Sequence, residues 1–431
     1  MSDLPQYRSL LPSRLAPPSR TARHLVADHE RFADAPYPVR VDDYVRERYA
    51  IDLAASLGPL ALRHPIGKAS GQLSLRAAQV EADVDADLAF VVLKTVIAES
   101  PAGSSRMAAW KIEATRMECE RIRSRRGEDG YTISWIGRGW EKDLASYCRL
   151  VVDARRIARD RGVVVIPSVK LHLPSRLDEP YDIAEYRHTL AALADAWGAG
   201  GDRAPLVVEK DFSPTLAGSD LAAEKAAILR WLYDVPRLVA EHGGTRTPRV
   251  GIKVMNALFD DDFQLEMLRA LEAARPRPAF LTLFNRLFDP ARAFGEHRGI
   301  AYGGPDLSDR NLAVLTQWAR EGTGTLPISA TGNIVDGRLL AEYALRGASS
   351  AQIHTFFQLP RACYRSHSPR SRAALHELLF HPATGLLAAM AGLRELAGTT
   401  HNALRFLDLA EVGRELLARR DDGSDAGTPP R

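Results

Sequence analysis

Short apolar runs alternate with stretches of helical spacing from about residue 60 to residue 357 of the chain. Leu60 to Ser70 is the first strand candidate, Leu73 to Leu88 reads as a helix, and Ala89 to Thr95 is a second strand. A helix carrying Leu144, Tyr147, Leu150, Val151, Ala154 and Ile157 is capped by Gly162 and leads to a third strand, Val163 to Lys170. Ile183, Tyr186, Leu190, Leu193 and Trp197 mark the helix before the fourth, Pro205 to Ser213. Ser219 suits the N-cap of the next helix, and Arg249 to Met255 is the fifth strand. A helix from Asp262 to Ala274 precedes the sixth, Ala279 to Asn285. A helix from Ser308 runs into the seventh at Pro327, and Ser350 to Thr355 holds the eighth. Eight strands alternating with amphipathic helices is the count of an α/β fold of the (β/α)8 TIM-barrel kind, although a doubly wound sheet alternates too.

The remaining segments follow other patterns. Residues 1–50 are a polar, Pro- and Arg-rich N-terminal extension, and the barrel is expected over 51–360. Residues 99–140, with Trp110, Trp135 and Trp140, read as a long irregular excursion inserted after strand 2. Residues 361–420 are helical and apolar enough to pack on the barrel or on a partner subunit, which leads us to expect a homodimer. The tail, 421–431, has a disordered composition.

Composition narrows the function classes. Among 431 residues, 45% are hydrophobic and 26% charged, enough for a large core, and a net charge of +3 demands neither nucleic acid nor an anionic membrane. Cys119, Cys148 and Cys363 lack any CxxC spacing, so no zinc or iron–sulfur ligand set is legible, and no metal is expected. No apolar run is long enough to span a bilayer and no signal-peptide core precedes the fold, so the expected location is cytoplasmic.

Chemistry on a barrel sits at the C-terminal ends of its strands. Those ends carry Ser70, Lys94, Thr95, Lys170, Lys210 to Ser213, Lys253, Asn285, Thr331 to Asn333, His354 and Thr355. One lysine at such a place is commonly salt-bridged or snorkelling, but several converging on one rim point to an anionic ligand. The stretch Leu326 to Phe357 reads as a βαβ unit with a small-residue turn, Thr331-Gly332-Asn333, at a helix N-terminus, where free N–H groups suit a phosphate. An ordinary βα turn would read the same way.

Several motifs occur in an order that carries a family resemblance. They are Ile51-Asp52-Leu53 leading to Pro65-Ile66-Gly67-Lys68-Ala69-Ser70-Gly71; Lys94-Thr95; Asp211-Phe212-Ser213-Pro214-Thr215; and Gly251-Ile252-Lys253-Val254. Asn285, Gly303-Gly304-Pro305, Ala330-Thr331-Gly332-Asn333-Ile334 and Gln352-Ile353-His354-Thr355 follow. Over roughly Ile51 to Phe357 the chain resembles the dihydroorotate dehydrogenase family of FMN-dependent barrels, including the matching domain of dihydropyrimidine dehydrogenases. The resemblance implies an FMN-dependent oxidoreductase of the CH–CH class. Ala69, Ser70 and Gly71 would run along the flavin ring, with Lys94 and Thr95 near its reactive side. Lys253 would stabilise the reduced ring's negative charge. Gly303, Gly304, Gly332, Asn333 and Thr355 match phosphate-binding turns, with His354 beside them. Ser213 matches the base that takes a substrate proton, and Asn285 a substrate contact.

The departures from the family pattern bear on the substrate. Thr215 and Lys210 stand where asparagines are usual, and the asparagines expected near Ser134-Trp135-Ile136-Gly137 give way to Trp135, Arg138 and Trp140. Lost amide contacts leave a polar ring unpaired and discriminate strongly. We therefore expect a small-molecule substrate other than dihydroorotate, met by Asn285, Lys210, Thr215 and Arg138. Electrons would pass to or from a soluble partner. A flavin-free barrel enzyme acting on a phosphorylated substrate, aldolase- or lyase-like, and a non-catalytic barrel are the alternatives.

Overall fold

A computed structural model describes residues 7–422 other than 13, 39, 112–115, 137–138, 200–203, 213–224, 245–246, 258 and 397–403. Among the described residues, twelve α-helices accompany a strongly curled, all-parallel sheet of ten strands. In chain order these are β1 (Ile66–Lys68), β2 (Phe90–Val92), β3 (Val96–Ile97), β4 (Val164–Ile166) and β5 (Ser168–Lys170). Then come β6 (Val207–Asp211), β7 (Arg249–Met255), β8 (Leu281–Asn285), β9 (Ile328–Ala330) and β10 (Ala348–Ile353). Neighbours run in the order β3-β5-β6-β7-β8-β9-β10-β1-β2-β4. The strands are mostly short and buried on both faces, as a parallel sheet wrapped in helices requires. Pro167 divides β4 from β5; its carbonyl still accepts from Glu209 N at 2.9 Å, so the interruption costs the ladder little.

The helices begin where the sequence offers acceptors. The Asp143 side chain accepts from Ser146 N at the head of helix Leu144–Arg159, and Asp260 accepts from Phe263 N ahead of Asp261–Ala273. Asp336 does the same for Leu339 N ahead of Gly337–Ala344. This last cap corrects an expectation. The helix starts at Gly337 rather than at the Thr331-Gly332-Asn333 turn, with Asp336 as its N-cap.

Two antiparallel hairpins replace segments read as irregular or left unassigned. Within the inserted excursion, Arg116–Arg123 pairs with Asp129–Ile136, and Leu287–Phe294 pairs with His297–Tyr302 after β8. Residues 60–65, read as part of the first strand, belong mainly to a third small hairpin, Ala55–Leu57 with Leu60–Leu62. Ser219 lies outside the described residues.

Both chain extremities are folded onto this body. The N-terminal extension holds helices Ser19–Arg31 and Val41–Tyr49. Helices Arg370–Phe380 and Leu386–Leu396 bury Leu375, Leu378, Phe380, Leu387 and Met390 within the chain's own core. Their apolar content, which prompted the expectation of a second subunit, is thus covered intramolecularly. Residues 423–431 of the tail lie outside the described residues, and Asp421 ends helix Leu409–Asp421. No helix among the described residues is long and apolar enough to cross a membrane.

Lys68 ends β1 yet takes no part in the rim. Its Nζ meets Asp83 Oδ1 of helix Ala77–Asp85 and Ser371 Oγ (3.0 Å) of helix Arg370–Phe380, tying strand, helix and C-terminal extension together. Breaking a buried pair strands a charge, so Lys68→Met is expected to destabilise by about 3–5 kcal/mol. The double variant Lys68→Met/Asp83→Leu should recover much of that loss. Denaturant midpoints of wild type, both single variants and the double measure it, and additive losses would deny the coupling.

Candidate functional site

A cavity of about 340 Å³ opens at the C-terminal ends of the strands. β1 feeds it Ala69, Ser70 and Gly71, and the segment after β2 adds Lys94 and Thr95. β6 contributes Asp211, β7 Lys253 and β8 Asn285, while β9 leads into Thr331, Gly332 and Asn333. β10 ends in Gln352 and Ile353, with His354 and Thr355 following. Gly303, from the chain leaving the second hairpin, completes the rim.

Polar side chains interlock beneath the cavity. Ser70 Oγ lies 3.0 Å from Thr95 Oγ1, which lies 3.0 Å from Ser168 Oγ on β5. The Gln352 amide donates to Glu209 Oε2 (2.6 Å) and Thr282 Oγ1 (2.9 Å), and Thr282 Oγ1 donates to the same carboxylate at 2.8 Å. Three strands that are not neighbours, β6, β8 and β10, therefore meet through their inward side chains. Glu209 is fully buried, and that burial raises its carboxyl above the ordinary range. Gln352 Oε1 remains buried without a partner.

The cavity is cationic. Lys94, Lys253, Arg286 and Arg298 line it against Asp211, the one acidic residue of the lining among the described residues. Burial pulls Lys94 down to about 8, with Asp211 opposing and the Lys253 and Lys170 charges reinforcing the fall. Lys170, fully buried on β5, holds its Nζ 3.4 Å from Asp211 Oδ2. Burial, and then the charges of Arg286, Lys253 and Lys94, push His354 well below its usual range, so its ring is neutral. That ring occupies the space where a Cβ on residue 71 would stand, 2.1 Å from its Nε2; only glycine fits there.

Two glycine turns face each other at one end. Gly304, in the left-handed region at φ +94°, is the N-cap of helix Pro305–Glu321, which has no side-chain cap. Gly332 and Asn333 also take positive φ, and a Cβ on Gly332 would come within 2.5 Å of Asn311 Nδ2. Asn333 Nδ2 donates to Ser308 Oγ (3.0 Å) in the first turn of that helix, joining the turns, while Asn333 Oδ1 stays buried and unpartnered. The Gly303 N–H itself is engaged by Thr132 Oγ1 at 2.9 Å. The helix dipole thus reaches the site from Pro305–Glu321, not from the helix after β9.

Some expected residues fall elsewhere. Gly304 does not line the cavity; it packs against Ile122. Lys210 does not either: alternation along β6 sets it on the face opposite Asp211, buried, with Nζ on Asp211 O (3.0 Å) and 4.2 Å from the Phe212 ring centre. Burial, and then Lys170, lowers Lys210 well below its usual range. Ser213, Thr215 and Arg138 lie outside the described residues.

Sequence reasoning passed over Gln352, Arg286 and Arg298 as site residues, whereas Asp211 was among the strand-end residues it named. Gln352 stands inside a quoted motif and Arg286 adjoins Asn285, so their signal was present. Arg298 comes from the unassigned hairpin. Arg286, at φ +50°, donates to Ala301 O (2.6 Å) and Ile133 O (2.7 Å), clasping both long hairpins beside the cavity.

Lys94 sets a pH dependence. It is charged below about 8 and neutral above. Losing that charge beside an anion in a partly wet site costs on the order of 1.4 kcal/mol, or about tenfold in affinity. Affinity for a phosphate-bearing ligand should therefore fall as pH rises through this value, well above the second phosphate ionisation near about 6. Isothermal titrations across pH with FMN, on wild type and Lys94→Met, read the effect. A dependence surviving in Lys94→Met would assign it elsewhere.

Compared with known protein families, the sequence matches no family model, and no curated protein matches it.

Proposed function

We propose that the chain is an FMN-dependent oxidoreductase acting on a CH–CH bond of a small anionic molecule, built on a (β/α)8 barrel. The observation carrying this reading is the cavity, where residues from motifs scattered between positions 69 and 355 share one cationic wall. Support for the barrel comes from the ends of the sheet order. β2 continues into β3, and β4 continues through Pro167 into β5. β2 pairs with β4 while β3 pairs with β5, so counting each of these two divided strands as one would leave eight strands for a ring. The Glu209–Thr282–Gln352 cluster supports the same closure, being a layer from alternate strands.

The residues present fit FMN. The facing turns at Gly303 and Gly332-Asn333, with the uncapped helix N-terminus, suit its phosphate. The unpartnered oxygens of Asn333 and Gln352 would be available to accept hydrogen bonds from its hydroxyl and N–H groups. When bound, FMN would supply hydride exchange with the substrate. Lys253 would hold its ammonium where negative charge develops on the ring, and Lys94 would add to it. Ser213, two residues beyond Asp211, would take the substrate proton, and Asn285 would orient the substrate. Because Lys210 is turned away, Asp211 and Lys94 are the nearer candidates should Ser213 not serve. The asparagine replacements at Lys210 and Thr215 favour a substrate other than dihydroorotate, and Arg286 and Arg298 favour an acidic one.

One observation supports a second reading: a lysine brought down to about 8 inside a cavity is a competent amine nucleophile, as in Schiff-base enzymes of phosphorylated substrates. The readings separate cleanly. The flavin reading expects yellow protein with one FMN per chain, by spectrum after denaturation, and reduction that weakens more in Lys253→Ala than in Lys170→Ala. Protein that stays colourless after incubation with excess FMN, and that borohydride links covalently to a carbonyl substrate through Lys94, would establish the alternative.

Ser213→Ala should keep the bound FMN spectrum while slowing its reduction by substrate about 10²–10⁴-fold, the usual cost of losing a positioned base. Stopped-flow reduction with dihydroorotate, dihydrouracil and other cyclic or acidic compounds measures this. Rapid reduction by dihydroorotate would refute the altered-substrate argument, and full activity in the variant would remove Ser213 from the mechanism.

A further inference from the structure

We propose that His29, His376 and Glu377 form a site for a divalent transition metal, Zn2+ foremost, which ties the N-terminal helix to the C-terminal extension. His29 lies on helix Ser19–Arg31, and His376 and Glu377 are consecutive on helix Arg370–Phe380. One donor atom from each residue falls within 4.8 Å of the others. None of the three lines the cavity, so the site is independent of the flavin reading.

The second observation is His376 itself. It is fully buried, and neither Nδ1 nor Nε2 has a hydrogen-bond partner. A neutral imidazole carries one donor and one acceptor, and burying both unmet costs more than placing an apolar residue of similar size there. A metal ion takes up the acceptor nitrogen directly.

The other two ligands are already drawn together. Glu377 Oε2 stands 3.0 Å from His29 Nε2, and a metal would occupy the place of the proton they share. The second carboxylate oxygen, Oε1, accepts from Arg365 N at 2.7 Å, an orienting bond of the kind that fixes metal-ligating carboxylates. The His29 and His376 rings lie nearly parallel, with centroids 4.8 Å apart, so one ring must turn out of the stack to bring both nitrogens onto one ion. His381 stands edge-on to His29, but its Nδ1 already accepts from Thr384 N (3.0 Å), and we leave it outside the ligand set.

Two imidazoles and one carboxylate are borderline donors. They favour Zn2+ and its neighbours over Mg2+ or Ca2+, which prefer all-oxygen shells. A tetrahedral ion would complete its shell with water, since the His29 and Glu377 side chains each keep about 10% exposure. Bridging positions 29 and 376, the ion would fasten the two extremities of the chain to one another.

Chelator-stripped full-length protein, titrated with ZnCl2 by calorimetry and by competition with a chromogenic chelator, tests the site. We expect one Zn2+ per chain, a melting temperature that climbs with Zn2+ concentration, and visible d–d absorption when Co2+ is used instead. His376→Leu keeps the position filled and apolar, and Glu377→Gln keeps the shape of the carboxylate. Each should weaken binding by at least about 100-fold, the upper end for loss of an outer-shell partner. Stripped wild type that takes up neither Zn2+ nor Co2+ stoichiometrically would overturn the proposal, whatever the variants do. So would unchanged affinity in His376→Leu.

Discussion

Holding ammonium groups out of water at the ends of apolar strands is the constraint on which the upper part of this molecule depends. Lys94, Lys170 and Lys253 are all buried, and the strands that carry them offer little polarity of their own. Desolvation of a charge is expensive unless an opposite charge or a set of acceptors meets it. Asp211 answers Lys170 directly and Lys94 at longer range. Glu209 feels Lys253 but spends its hydrogen bonds on Thr282 and Gln352. The described lining therefore keeps an excess of positive charge, and Lys94 is depressed first by its burial and then further by the charges of Lys253 and Lys170. An anion entering the cavity relieves the repulsion that the fold imposes on itself.

That arrangement requires the sheet to curl. Glu209, Thr282 and Gln352 come from strands separated in the sheet order, and their side chains touch only because the strands wrap toward a common axis. Once they do, strand ends from Ala69 to Thr355 face one volume, although the sequence spreads them over most of the chain. The two long hairpins then wall that volume. Arg286 anchors both through Ala301 O and Ile133 O, and Thr132 reaches Gly303 N, so neither hairpin can shift without disturbing the turn at Gly303.

The legible parts of the fold were those written in apolar runs. Arg249 to Met255 was read with the bounds it has, because a buried parallel strand is a continuous apolar stretch with few competing patterns. The hairpin Arg116–Arg123 was not legible. Arg116, Glu118, Glu120, Arg121 and Arg123 give it the composition of a loop, and its period-2 signal rests on Met117 and Cys119 alone. Its partner strand carries a clearer alternation, with Ile133 buried beside polar neighbours, and Gly127 at φ +82° makes the turn between them. Lys210 shows a different failure. Counting it among the strand-end lysines ignored the alternation that turns it from Asp211, since neighbouring positions on a strand face opposite ways.

The extremities raise a last point about how such a body is closed. Glu342 and Arg346 form a buried pair at 2.5 Å beyond β9, and both also reach the N-terminal segment: Glu342 accepts from Leu10 N (3.0 Å) and Leu11 N (2.9 Å), and Arg346 donates to Arg8 O (3.0 Å). A buried pair of this sort adds little net stability, but it is unforgiving of a missing partner. Leu10 and Leu11, buried beside it, give the segment its apolar anchor. Burial supplies the attraction and the pair supplies the register, so the N-terminal segment has one place to dock. The same division holds at the rim, where apolar strands provide the stability and a few costly charges determine what the cavity will accept.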